Sequence, residues 1–138
     1  MSQEPRRNEP RFYRYPTKRI AAIINEDQSL EKALQDLAEA GVNLGDVNVL
    51  TGPEGVRLLD RRGVRRGLRS RLLRIAQLTA YEGTALDVHE QALNEGHHII
   101  YVPARGNQQI QKVVDILRRA GGHYLLYFHR WTVEELRF

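Results

Sequence analysis

Apolar positions along the chain first form a short continuous run and then recur at helical spacing. Residues 20–24 are all apolar, which predicts a strand. After them apolar residues return every three or four positions, the spacing of an amphipathic helix: Leu30, Ala33, Leu34, Leu37 and Ala38. Ser29 is the expected N-cap of this helix and Gly41 its expected end. Residues 47–50 then predict a second strand.

The same order of elements returns in the second half of the chain. Residues 99–102 predict a strand, Asn107 is the expected cap of a helix, and residues 124–128 predict another strand. The apolar stripe of the helix between them consists of Ile110, Val113, Val114 and Leu117. In both halves the expected cap stands five positions after the last residue of the first strand. The chain therefore contains two βαβ units.

Two βαβ units around one core predict an α+β protein with the ferredoxin-like arrangement, a four-stranded antiparallel sheet with two helices on one face. Between the units, residues 51–97 exceed the usual length of a connection and need structure of their own. Apolar spacing predicts one inserted helix over residues 68–78 and a second that is capped by Thr84 and ends at Gly96. The insertion is therefore expected to be helical.

The C-terminal residues carry the local signals of a helix start. Thr132 and Glu135 fit a capping box, and Trp131 and Leu136 occupy the two positions of a hydrophobic staple. These signals predict a short helical turn at the end of the chain.

Both alternating sets of side chains in the third and fourth strands are apolar, which predicts that both faces of the sheet are covered. Helices at 29–40 and 107–120 account for one face. The inserted helices or a second subunit would cover the other. We expect self-association through that second face or through a paired strand edge, and both closed and open assemblies are compatible with the pattern.

The chain of 138 residues has a length and a hydrophobic content of 41% that suit a single domain. Residues 1–18 contain three prolines among scattered charges, so they predict a flexible basic N-terminal arm. Residues 19–138 are then the ferredoxin-like domain, with residues 51–97 as its helical, arginine-rich insertion.

Charge is strongly segregated along the chain, although the net charge is only +4. Residues 20–56 hold seven carboxylates and one lysine, whereas residues 57–74 hold eight arginines and one aspartate. Guanidinium groups bind phosphate and carboxylate in a planar, bidentate way. The candidate anion- or nucleic-acid-binding residues are Arg61, Arg62, Arg65, Arg66, Arg69 and Arg71. The alternative is a solvated face that pairs with the acidic block at 26–54.

The motifs of common catalytic and metal sites are missing from the sequence. The chain has no cysteine, its glycine-rich stretches lack the lysine of a P-loop, and none of its serines lies in a GxSxG motif. Five histidines are the remaining candidates: His89, His97, His98, His123 and His129. They show no HExxH spacing, and in a strand His97 and His98 would point to opposite faces. We expect no catalytic residues, no metal and no cofactor.

The chain has no apolar run long enough to cross a membrane and no apolar leader after the first methionine. These features predict a cytoplasmic protein without membrane insertion.

Several segments together resemble a known family. They are SLEKALQDLAEAGV, VLTGPEGVRLLDRRGVRRG, YEGTALDVHEQALNEGHHIIYVPA and GGHYLLYFHRWTVEEL. In this order they resemble the bacterial general stress protein domain from about residue 19 onward. The resemblance implies a small cytosolic ferredoxin-like protein linked to heat, osmotic or other stress. It implies no established reaction and no agreed catalytic residues, so no functional residues are carried over.

Three functional hypotheses follow. The first is a non-enzymatic, stress-associated binding or regulatory protein that acts as a homo-oligomer. The second is an RNA- or ribosome-binding protein, or a binder of another polyanion, that uses the arginines between Arg57 and Arg74 and the arm, mainly by electrostatic attraction. The third is a small-ligand sensor or an enzyme with a pocket between the sheet and the inserted helices, lined by His89, His98 or Tyr81.

Overall fold

The computed structural model of the chain describes residues 4–7, 18–52, 81–129 and 133–137. Its elements, in chain order, are β1 (Arg6–Arg7), β2 (Arg19–Ile24), α1 (Asp27–Glu39), a short 3-10 helix (Leu44–Asp46), β3 (Asn48–Thr51), α2 (Tyr81–Asn94), β4 (His98–Pro103), α3 (Gly106–Arg119), β5 (His123–Phe128) and β6 (Val133–Glu135). The predicted βαβ units correspond to β2–α1–β3 and to β4–α3–β5.

The strands form one sheet in the order β1-β3-β4-β2-β5-β6. In this order each strand from β3 to β6 is antiparallel to the next, and β1 alone runs parallel to its neighbour β3. The prediction of an α+β protein is confirmed. The predicted number of four strands is wrong, because β1 and β6 extend the sheet at its two edges.

Strand β6 occupies the segment for which the capping pattern predicts a helical turn, so that prediction is wrong. Val133 pairs with Phe128 of β5, and the backbone N–H of Leu136 donates to the carbonyl of Leu125 at 2.8 Å. These pairings satisfy backbone groups on the outer edge of β5, which a helical turn would leave without partners. Tertiary pairing therefore outweighs the local capping signal.

Strand β2 lies at the centre of the sheet, between β4 and β5. All its residues from Ile20 to Ile24 are buried, and Ala22 and Ile20 stand opposite Ile100 and Val102 of β4. A strand that is apolar on both sides requires cover on both faces of the sheet.

Helices α1 and α3 pack together on one face of the sheet, which we call the α1/α3 face. Most residues of the predicted stripes are buried there against side chains of β2, β4 and β5, and Ala38 and Ile110 are partly buried beside them. The fully or nearly fully buried residues of the two helices are Leu30, Ala33, Leu34, Leu37, Val113, Val114, Ile116 and Leu117.

The predicted N-caps of these helices are wrong, because both helices begin earlier. Glu26 is the N-cap of α1 and Arg105 that of α3, and neither side chain makes a capping hydrogen bond. At the start of α3, the side chain of Gln109 instead accepts from the backbone N–H of Arg105 at 2.8 Å. Asn107 is the second residue of α3 and therefore lies inside the helix rather than at its cap position.

All three helices end in the same hydrogen-bonding pattern, at the glycines that the sequence indicates as their ends. In α3 the N–H of Gly121 donates to Arg118 O and that of Gly122 donates to Leu117 O. Equivalent pairs of bonds close α1 around Gly41 and α2 around Gly96. This is the Schellman motif, in which a residue with positive φ reverses the chain.

Gly122 is predicted to tolerate no side chain. A Cβ atom at this position would lie 2.7 Å from Leu117 O, a backbone atom that cannot move without disturbing the end of α3. Gly122→Ala is therefore expected to lower the free energy of unfolding by about 1–3 kcal/mol in urea denaturation. A Gly122→Ala variant as stable as the wild type would contradict the steric explanation.

Helix α2 covers part of the opposite face of the sheet, which we call the α2 face. Ala92 and Leu93 are buried there against Leu50, Ile99 and Tyr101, and Val88 packs beside them. The prediction that both faces are covered is confirmed for these strands. Helix α2 already includes residues 81–83, so Thr84 does not begin it, and the helix predicted at 68–78 lies outside the described residues.

Candidate functional site

The ends of β2 and β3 and the start of β4 lie together at one end of the sheet. His98 of β4 stands between Ile24 of β2 and Thr51 of β3 in the register of the sheet. Helix α1 begins three residues after Ile24, so its first residue, Asp27, lies at the same end. Residues that are far apart in the sequence are thereby brought together at one end of the sheet.

Thr51, His98 and Asp27 form a continuous chain of hydrogen bonds. Thr51 Oγ1 lies 2.9 Å from His98 Nδ1, and His98 Nε2 lies 2.7 Å from Asp27 Oδ1. The His98 side chain is only 6% exposed, whereas that of Asp27 is 93% exposed. The hydrogen bonds therefore link a partly buried hydroxyl, through a buried imidazole, to a carboxylate in contact with solvent.

The carboxylate fixes the positions of the protons in this chain. A carboxylate only accepts hydrogen bonds, so His98 Nε2 carries the proton that is donated to Asp27. In the neutral imidazole, Nδ1 then accepts from the hydroxyl of Thr51. A base next to a hydroxyl, held in place by a carboxylate, has the order of groups that activates a hydroxyl as a nucleophile.

His97 does not join this chain, although it is adjacent to His98. Its Nδ1 lies 3.3 Å from the carbonyl oxygen of Asn25, and its Nε2 lies 4.0 Å from a carboxylate oxygen of Glu95. Within the described residues, no group of three or more His, Cys, Asp or Glu side chains is arranged to hold a metal ion.

His89 lies between α2 and the sheet, on the face opposite to that of His98. It is 4% exposed, and its ring meets Tyr101 edge-on at 6.5 Å and Tyr124 edge-on at 6.0 Å between ring centroids. Burial lowers the pKa of His89 from 6.5 to about 4, because the charged ring would lose its hydration. His89 is therefore a neutral interior group at neutral pH.

The α2 face contains buried polar atoms without a hydrogen-bond partner in the described part of the chain. Examples are His89 Nε2 and Oδ1 of Asn48, and Asn48 stands opposite Tyr101 in the register. A buried polar group without a partner costs about 1–3 kcal/mol. This face is thus more polar inside than the apolar pattern of its strands indicates.

The structure does not bring the predicted pocket residues together. His89 and His98 lie on opposite faces of the sheet, since His98 alternates with Ile99, which contacts α2. The side chain of Tyr81 lies outside the described residues, as does the whole predicted anion-binding set: Arg61, Arg62, Arg65, Arg66, Arg69 and Arg71.

The aromatic side chains of the central strands are not available as a stacking surface for RNA bases. Tyr101, Tyr127 and Phe128 are each at most 6% exposed. Sheets that bind single-stranded RNA use exposed aromatic residues. Any binding of RNA would therefore depend on the arginines between positions 57 and 74 rather than on these strands.

Sequence reasoning missed Thr51 and Asp27. They are 47 and 71 residues away from His98, so no local motif connects the three. The only available signal is the predicted strand order, which aligns the end of the second strand with the start of the third.

Comparisons of the chain with protein-family models, with curated proteins and with solved structures return no match. Among the described helices, none has the length and apolar content needed to span a lipid bilayer.

Proposed function

We propose that the chain is a stress-associated binding or regulatory protein of the cytoplasm, with the ferredoxin-like arrangement, that acts as a homo-oligomer and without catalytic turnover. The antiparallel order β3-β4-β2-β5, with α1 and α3 on one face, supports this arrangement. The resemblance to the bacterial general stress protein domain is the basis for the link to stress.

Charge on the α1/α3 layer is the observation that carries the proposal of self-association. Helix α1 holds four carboxylates and one lysine, whereas α3 holds three basic side chains and one aspartate. The two helices pack side by side. The outer surface of this layer is therefore acidic along one helix and basic along the other.

A second copy of the chain fits this surface when the two copies are related by a two-fold axis along the groove between α1 and α3. The axis places the acidic helix of each copy on the basic helix of the other, so opposite charges meet twice. The edges of the sheet are less suited to pairing, since β1 has two residues and β6 three. Short edge strands are a common protection against edge-to-edge association.

Charge reversal tests this arrangement. Glu39 of α1 and Lys112 of α3 are both exposed, form no ion pair among the described residues and lie at the same end of the layer, where Lys112 Nζ donates to the carbonyl oxygen of Ala40 at 3.1 Å. Glu39→Lys and Lys112→Glu are each expected to weaken self-association at least about tenfold in sedimentation equilibrium, because each reversal puts like charges together. An equimolar mixture of the two variants is expected to recover the association as a mixed oligomer.

Glu134→Lys on the edge strand β6 is the matched control and is expected to leave self-association unchanged. A wild-type monomer across the micromolar range would contradict the proposal. Dissociation caused by Glu134→Lys instead of by the helix variants would place the contact at the sheet edge and contradict the two-fold helix contact.

A small-ligand sensor or an enzyme is the second candidate function, and the chain of Thr51, His98 and Asp27 favours it. A buried polar network that is fully hydrogen-bonded can also serve only to hold α1 against the sheet. Chemical reactivity at Thr51 distinguishes these two roles.

A further inference from the structure

We propose that Thr51 is an acyl-acceptor site, at which His98 acts as the general base and Asp27 as the positioning residue. The acyl donor is a neutral activated ester or thioester. This inference rests on the second candidate function, and it requires only one acyl transfer to Thr51, with or without later turnover.

The geometry supplies the base. The distance of 2.9 Å between Thr51 Oγ1 and His98 Nδ1 is within the range over which a general base removes a hydroxyl proton. Thr51 is the last residue of β3 and is partly exposed, so its hydroxyl stands at the boundary between the buried imidazole and the surface. The 2.7 Å contact with Asp27 stabilises the imidazolium that forms when the proton moves.

The proposed step requires no reactant other than the acyl donor and the side chains of Thr51 and His98. The hydroxyl proton of Thr51 moves to His98 Nδ1 as Oγ1 attacks the carbonyl carbon of the donor. The bond between that carbon and the leaving oxygen or sulfur then breaks, and His98 returns the proton to the leaving group. The products are an ester on Thr51 and a free alcohol or thiol.

Charge at this end of the sheet selects the class of donor. Glu26, Asp27 and Glu95 are exposed carboxylates close to the hydrogen-bonded chain, and Glu95 has His97 as its nearest basic neighbour in the described region. Negative groups such as phosphoryl donors are repelled by these carboxylates. A neutral carbonyl group does not meet this barrier.

The test uses the full chain and p-nitrophenyl acetate, a neutral activated ester. We expect a burst of about one equivalent of p-nitrophenolate, because the acetyl-enzyme accumulates when its formation is faster than its hydrolysis. Intact mass spectrometry should show one acetyl group, and peptide mapping should place it on Thr51.

Three variants separate the roles of the residues. Thr51→Val keeps the shape of the side chain without its hydroxyl and should abolish the adduct. Asp27→Asn changes a side chain that is 93% exposed, so the fold should persist, while the acylation rate should fall on the order of 10²-fold. His97→Gln is the matched control for direct reaction of the neighbouring, partly exposed imidazole and should leave the adduct on Thr51 unchanged.

Acetylation spread over lysines without modification of Thr51 would overturn the proposal, as would an unchanged acylation rate in Asp27→Asn. Either result leaves the homo-oligomer untouched, because sedimentation measures the oligomer on unmodified protein. Conversely, a monomeric protein that is acylated at Thr51 would retain this inference and remove the proposed oligomer.

Discussion

Acidification from pH 7 to pH 4 is expected to lower the free energy of unfolding by about 3 kcal/mol through His89 alone. The folded-state pKa of this residue is lowered from 6.5 to about 4, because the ring is buried between α2 and the sheet. One pKa unit corresponds to about 1.4 kcal/mol, and the shift spans the whole interval between the two values. This is a large part of the stability of a domain of this size.

The sign of the effect follows from the proton that the unfolded chain binds first. Above pH 6.5 His89 is neutral in both states, so its contribution to stability is fully present. As pH falls from 6.5 towards 4, the unfolded state gains a proton that the folded state does not accept, and the free energy of unfolding decreases.

Urea denaturation at a series of pH values measures this contribution. His89→Phe keeps an aromatic ring between the tyrosines but removes the titratable group. The variant should therefore take up about one proton fewer than the wild type on unfolding in acid, and its free energy of unfolding should depend less steeply on pH. His123→Gln, which removes an exposed histidine without a side-chain hydrogen bond or ion pair among the described residues, is the control for the loss of a surface imidazole. An unchanged slope in His89→Phe would show that His89 accepts a proton freely in the folded state.

Local sequence patterns predict the core well, because a strand that is buried on both faces is apolar at every position. Residues 20–24 are apolar throughout, and they form the central strand β2. The predicted helical stripes are the buried stripes, and glycines 41, 96 and 121 end the helices. These features depend on short-range spacing and backbone conformation, which a single sequence shows directly.

The edge strands could not be predicted in the same way, since a segment becomes an edge strand only when another strand lies beside it in the fold. The segment around Val133 carries a capping pattern, yet it becomes a strand because β5 lies beside it. Arg6 and Arg7 lie in the predicted arm and pair with β3. In both cases the deciding contact is to a residue outside the local window.

Sequence motifs do not predict the candidate site, for a related reason. His98 was a predicted candidate, but its partners Thr51 and Asp27 belong to two other elements. Known nucleophile motifs place a serine in a fixed local pattern, whereas a threonine at the end of a strand belongs to no such motif. Only the register of β2, β3 and β4 brings the hydroxyl, the imidazole and the carboxylate together.

Leu93→Ala is expected to lower the free energy of unfolding by about 2–5 kcal/mol, which would establish α2 as part of the folded core. Leu93 is completely buried on the α2 face, where it packs with Leu50, Ile99 and Tyr101. Its truncation removes apolar burial and leaves a cavity that a helix anchored on a sheet can only partly close. Urea denaturation monitored by circular dichroism measures the loss.

Two further variants make the result specific to the α2 face. Leu37→Ala removes an equally buried leucine from the α1/α3 face and should have a cost in the same range, whereas Gln91→Ala changes an exposed position of α2 and should stay within about 0.5 kcal/mol of the wild type. If Leu93→Ala cost as little as Gln91→Ala while Leu37→Ala kept its full effect, α2 would be only loosely attached. The α2 face would then be free for a second subunit, as a contact in addition to the helix pair.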